Sequence, residues 1–240
     1  SYFFIIIAAG HIWKVWALGY LPPMIAGIVL AFKGKYLKAL LVTSLFGAFE
    51  INANHVQMTY YFMFPIVFMV IAFIVEAAKR KDYLHIAKAL GVCVASAVIA
   101  LMLNVSNLYH TWQYQKETMR GGSELVQGGA AKDGQQAGRN GLDRDYITQW
   151  SYGISETWTL LVPNAKGGAS VPMSMNEIAM KKADPQFESV YSQLGQYWGE
   201  QPGTSGPVYV GAFVCLLFVL GLIIVKGPLK WALLAATIIS

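Results

Sequence analysis

The chain reads as an all-α polytopic integral membrane protein, a helix bundle carrying a mixed extracytoplasmic loop region. Three observations predict this class. Of its 240 residues, 55% are hydrophobic and only 13% are charged, whereas soluble domains carry about a quarter charged residues. Several apolar runs reach the roughly 20 residues of helix that a hydrocarbon core of about 30 Å requires. Lys and Arg recur in the short turns between those runs, the pattern of cytoplasmic loops.

Taken in order, the start "SYFFIIIAAG" has neither a basic n-region nor a small-residue cleavage site. It reads as the last half of a span that began upstream. Full spans are predicted over 15–32, 36–53, 58–78 and 87–107. Pro22, Pro23 and Pro65 lie inside spans, where neighbouring helices can re-satisfy the freed carbonyls, and a kink is expected near each. A long polar segment follows, then a span over 208–225. The end "LKWALLAATIIS" reads as the first half of another span. The expected organisation is therefore transmembrane over 1–107, extracytoplasmic over 108–207 and transmembrane again over 208–240, in an internal piece of a longer protein.

Lys33, Lys35 and Lys38 mark one turn, Lys79, Arg80, Lys81 and Lys88 a second, and Lys226 and Lys230 a third. With the spans as given, all three fall on the cytoplasmic side. His11 to Lys14, the turn around Asn54 and the segment 108–207 then lie outside, with Trp13 and Trp16 in an interfacial aromatic belt. The formal net charge of +5 divides unevenly. Residues 108–207 hold eight Lys/Arg and ten Asp/Glu, or −2, and the remainder holds ten against three, or +7. The positive charge is thus a topology signal, and nucleic acid is not an expected partner; the lipid bilayer is. Cys93 and Cys215 lie in apolar runs without metal-binding spacing and read as small buried hydrophobes.

The stretch "FGAFEINANHVQMTYYF", residues 46–62, is anomalous in so apolar a setting. It places Glu50, Asn52, Asn54, His55 and Gln57 between two spans. An ionisable group in a span is costly and by default faces a bundle interior or a water-filled cavity. Asn52 and Asn54 would serve as helix-end residues in the plainer reading. Glu50 exceeds that role, because a terminus does not need a carboxylate about a turn inside the apolar run. Tyr60 and Tyr61 suit a belt.

The segment 108–207 is too long to lack structure of its own. Its Gly-, Gln- and charge-rich middle is expected to be mobile at 125–140. From Asp143 the sequence "DRDYITQWSYGISETWTLLVPNAKGGAS" is dense in Trp and Tyr interleaved with polar groups. Such a mixture suits sugars, whose C–H faces pack on rings while side chains bond hydroxyls; a lid on lipid headgroups would look alike. Asp143 and Asp145 form an Asp-x-Asp pair and are weak candidates for a divalent cation, with Arg144 between them able to pair with both. "KGGAS", 166–170, is either a plain turn or an anion-binding nest.

"AFEINANHVQMTYY", "KETMRGGSEL" and "DRDYITQWSYGISETWTLLVPNAKGGAS" together resemble the bacterial membrane protein family YfhO in its longer Bacteroidetes-type form. The blocks occur in the family's order and the likeness covers almost the whole chain, with Asn54 standing where the family pattern has Gly. The resemblance implies a GT-C-like fold in the bacterial inner membrane. It implies transfer of sugar from a polyprenyl-phosphate carrier to an envelope glycan or lipid acceptor on the outer face. Family members are linked to glycosylation of lipoteichoic acid. GT-C enzymes usually keep the catalytic acid in the first outer loop, which would lie upstream of Ser1.

Such transfer needs a base on the acceptor hydroxyl and positive charge on the departing phosphate. Glu50 and His55 are the candidates for base support or acceptor orientation, with His11, Asn54 and Gln57 as substrate-binding neighbours. Arg120 and Arg144 are candidates for phosphate, whose oxygens a planar guanidinium grips in pairs. Trp150, Glu156 and Trp158 are candidates for the sugar. No cofactor is firmly implied, and a divalent cation stays open. The alternatives are a transporter or flippase of a lipid-linked glycan and a non-catalytic scaffold for envelope assembly. Transport would require polar groups deep in several spans, whereas these crowd one end.

Overall fold

The computed structural model describes residues 6–115, 148–204 and 206–239. The chain divides into two compact units, one of residues 1–115 with 222–240 and one of residues 116–221.

The first unit begins with four helices joined by tight turns: α1 (Ile12–Phe32), α2 (Tyr36–Asn52), α3 (Val56–Lys79) and α4 (Tyr83–Leu103). Among the described residues α1, α3 and α4 are long and apolar enough to cross a membrane. The 17 residues of α2 rise about 26 Å, at the short limit for a span. Both α1 and α3 run unbroken through their prolines.

Turn chemistry fixes these hairpins. After α1, Gly34 adopts φ +75°, and the N–H groups of Gly34 and Lys35 bond the carbonyls of Ala31 and Leu30. This is the double bond of a Schellman stop. After α3 the same pair runs from Lys81 and Asp82 to Ala78 and Ala77, but here Lys81 takes the left-handed position, at φ 60°. After α2 it is Asn54, at φ 52°. Asparagine is among the residues that tolerate this region best, so the turn stays tight without a glycine. Asp82 caps α4 by accepting from the His85 N–H.

The helices approach through small residues. Gly27 faces Thr43 so closely that a Cβ there would lie 2.8 Å from the Thr43 nitrogen. Ala17, Ala31, Ala39, Ala48, Ala89 and Ala100 are buried with them. On α2, Ala39 is 0% exposed while Leu37 is 71% exposed. Small inside and large apolar outside is the arrangement expected when the surroundings are lipid. The mid-helix hydroxyls of Ser44 and Ser96 return to the carbonyls of Leu40 and Val92 on their own helices.

Past the single break at Asn104, the helix resumes as α5 (Val105–Gln115). The helical chain thus runs to Gln115, past residue 107 where the sequence places the end of the span.

In the second unit a 3-10 helix (Ile154–Leu160) precedes β1 (Gly167–Pro172), which pairs antiparallel with β2 (Gly195–Tyr197) across an irregular register. Two short α-helices lie between the strands, α6 (Glu177–Met180) and α7 (Glu188–Tyr191), each preceded by a 3-10 turn. Residues 208–225 differ from the span expected of them. Helix α8 (Ala212–Ile224) has 13 residues and is shorter than a hydrocarbon core. Gly211 sits at φ 115°, and Val210 donates its N–H to the Leu160 carbonyl. Those residues are held by the unit's own loop and do not extend the helix. After it, α9 (Leu229–Ile239) packs on α3 in the first unit.

Candidate functional site: a polar cluster at one end of the bundle

The polar stretch between α2 and α3 folds into one cluster with the end of α4. Glu50 lies in the last turn of α2 and is 1% exposed. Its Oε1 accepts from Thr59 Oγ1 at 3.2 Å. Its Oε2 is buried and has no hydrogen-bond partner among the described residues. A buried carboxylate oxygen without a donor is costly. That cost singles Glu50 out from the helix-end residues around it.

His55 caps α3, its Nδ1 accepting from the Met58 N–H at 3.3 Å. An accepting Nδ1 leaves Nε2 as the protonated nitrogen of the ring. The Thr59 hydroxyl has one proton to share between Glu50 and the His55 carbonyl, 3.5 Å away. Thr59 thereby couples the two residues that the sequence proposed as a pair, although no direct Glu50–His55 bond forms among the described contacts.

Asn104 supports this end. Its Nδ2 donates to the carbonyls of Ala48, at 3.0 Å, and Ala100, at 2.9 Å, and its Oδ1 accepts from Asn52 Nδ2 at 3.5 Å. The amide is fully used and ties the last turn of α2 to the end of α4. On α5, Thr111 Oγ1 reaches Asn54 Oδ1 at 3.5 Å, a long bond.

The other candidates are placed less centrally. His11 precedes α1, exposed and without a side-chain cap bond. Gln57 is exposed and donates to the Tyr61 hydroxyl at 3.2 Å. Arg120, Asp143, Arg144 and Asp145 lie outside the described residues, as does the whole 125–140 stretch. No group of three or more potential metal ligands occurs among the described residues.

In the second unit Glu156 is an internal anchor. It is 1% exposed. Its Oε2 accepts the Gly153 N–H at 2.6 Å and, at 3.4 Å, the Glu200 N–H, while its Oε1 accepts the Tyr197 hydroxyl. The bond to Gly153 is the return half of a capping box on the 3-10 helix. The Tyr197 bond, with help from Gly153, Glu200 and Lys166, holds the Glu156 carboxyl below the ordinary carboxylate range against its burial. Burial, reinforced by the Glu156 bond, pushes the Tyr197 phenol up. With its oxygens committed inside the fold, Glu156 is not presented to a sugar as its aromatic neighbours suggested. Trp150 and Trp158 do expose their rings.

Thr59, Asn104 and Thr111 were missed in the sequence. Asn104 had a visible signal, a polar residue interrupting the apolar run 87–107. Thr59 had none beyond its nearness in sequence to the cluster, and Thr111, 57 residues from Asn54, had none. Compared with protein-family models, with curated proteins and with solved structures, the chain gave no match.

Proposed function

We propose that this chain belongs to a membrane glycosyltransferase that moves sugar from a polyprenyl-phosphate donor to an envelope acceptor, with Glu50 at the acceptor end of the site. The carrying observation is the Glu50 carboxylate, enclosed by the bundle yet lacking a donor for Oε2 among the described residues. An acceptor hydroxyl reaching that oxygen would supply the missing bond. As the glycosidic bond forms, the hydroxyl proton passes toward the carboxylate while the electron pair of the breaking bond leaves with the phosphate. Thr59 orients the carboxylate, and the His55 ring, held at Nδ1 by its cap bond, keeps Nε2–H as the donor for a second acceptor oxygen. Arg120 and Arg144 are proposed for the phosphate. At mid-helix Ser44 and Ser96 return to backbone carbonyls of α2 and α4, and Thr43, without a partner among the described residues, packs against Gly27; hydroxyls alone there, with the carboxylate at the end of α2, favour chemistry at one end over a polar path through the bundle.

The test uses the full-length protein in membranes and follows transfer of labelled sugar from a polyprenyl-phosphate donor. Glu50→Gln and His55→Ala are compared with wild type at matched insertion. Loss of transfer in both variants supports the reading. Full activity in both removes these residues from the chemistry and leaves them as helix-end structure.

A further inference from the structure

The opposite end of the first unit holds a cavity of about 220 Å³ lined by Val29, Phe32, Lys33, Phe73, Glu76, Arg80 and His85. Part of its lining is apolar and aromatic. The Phe32 and Phe73 rings stack with centroids 5.2 Å apart. His85 fixes one wall, with Nε2 2.9 Å from the Phe32 carbonyl oxygen and Nδ1 2.7 Å from the Tyr36 hydroxyl. Both ring nitrogens are occupied, so His85 frames the cavity and contributes no free polar atom to it.

The mouth is cationic. Lys33 and Arg80 are exposed, and the only ion pair between lining residues, Arg80 to Glu76, is 4.0 Å long between two largely exposed side chains. Such a pair contributes little and leaves guanidinium donors available. The turns beside it add Lys35, Lys79 and Lys81 against Asp82, while Lys38 and Lys88 lie further along α2 and α4. The C-termini of α1 and α3 meet the N-termini of α2 and α4 here, so the helix dipoles offset one another and side-chain charge decides the field. A cationic mouth over an aromatic floor, at the end of helices long enough to cross a bilayer, matches a phosphate diester with acyl chains attached.

We propose that this cavity binds the headgroup phosphate of an anionic phospholipid, with Arg80 and Lys33 on the phosphate oxygens and the Phe32–Phe73 stack against the glycerol and upper acyl chain. The full chain in neutral detergent is titrated with phosphatidylglycerol, phosphatidylcholine or inorganic phosphate, and bound lipid is counted by native mass spectrometry alongside thermal melting. Wild type is expected to retain phosphatidylglycerol and melt higher with it, and to respond to neither of the others. The exposed double variant Lys33→Gln/Arg80→Gln is expected to bind about tenfold more weakly. The variant Lys38→Gln/Lys88→Gln, with the same charge change outside the cavity, is expected to bind as wild type does. Equal weakening in both double variants would reduce the effect to diffuse surface charge and overturn the site. A response to inorganic phosphate alone would overturn the lipid as its ligand.

Discussion

Tyr197 donates its hydroxyl to Glu156 across 41 residues of sequence, and the carboxylate that receives it is almost wholly enclosed. Gly153, Glu200 and Gln201 converge on the same two side chains, making this pair the centre of the second unit. Tyr197→Phe should leave Oε1 buried without a donor, costing about 1–3 kcal/mol. Hydrogen exchange over residues 153–204 of the full chain, compared with wild type, reads the loss; unchanged protection would mean that the pair is dispensable.

The same pair sets a pH window. The depressed Glu156 value gives stability that is present above the unfolded carboxylate range and lost as pH falls through the folded value. The raised Tyr197 value gives stability that is present below the ordinary tyrosine range and lost as pH rises through the folded value. Protection of this unit should therefore hold between about pH 5 and pH 9 and decline on either side. In Tyr197→Phe the alkaline decline should shrink.

At the polar cluster, activity and stability are expected to diverge. Glu50→Gln keeps an acceptor for Thr59 and removes a charge enclosed without a second donor among the described residues. Melting should stay at the wild-type temperature or rise, by an amount equivalent to about 1 kcal/mol or more, while transfer is lost. A marked fall in melting temperature would show that the carboxylate is stabilising where it stands.

Close helix contact makes Gly27 intolerant. Gly27→Val would drive a side chain into the Thr43 backbone and should destabilise the bundle by about 1–3 kcal/mol or more. Thermal melting in detergent checks this, with Gly19→Ala as the control, since nothing lies within 4 Å of a Cβ at Gly19.

Two left-handed turn residues offer the opposite outcome. Lys81→Gly should stabilise the protein by about 0.5–1 kcal/mol by relieving its Cβ. Asn54→Gly should gain less, because asparagine already suits that conformation. A larger gain at Asn54 than at Lys81 would contradict this ordering.

The parts that were legible in the sequence are those governed by local rules. The apolar runs gave α1 to α4 within a few residues, and Glu50 was conspicuous because a carboxylate is foreign to such a run. Two of the three basic turns meet in space: Lys33 and Arg80 line one cavity at one end of the bundle. Asn104 was not legible as a tie, because its carbonyl partner on Ala48 lies 56 residues away. The surroundings of Glu156 were hidden for the same reason: its aromatic neighbours in sequence suggested a sugar ligand, whereas its bonded partners Tyr197 and Glu200 lie more than 40 residues away. The length of α8 depended on a backbone bond between Val210 and Leu160, which no local pattern encodes.

The distribution of side-chain size in the bundle inverts the usual expectation for tolerance to change. In a water-soluble protein the bulky hydrophobes are the positions least free to vary. Here the alanines and glycines between helices are the constrained sites, and Leu37, Leu41 and Leu45 on the outer face could exchange with other oily residues at little cost. A comprehensive substitution scan would therefore trace the helix contacts as a stripe of small, immutable positions, drawing the packing diagram of the bundle without any coordinates.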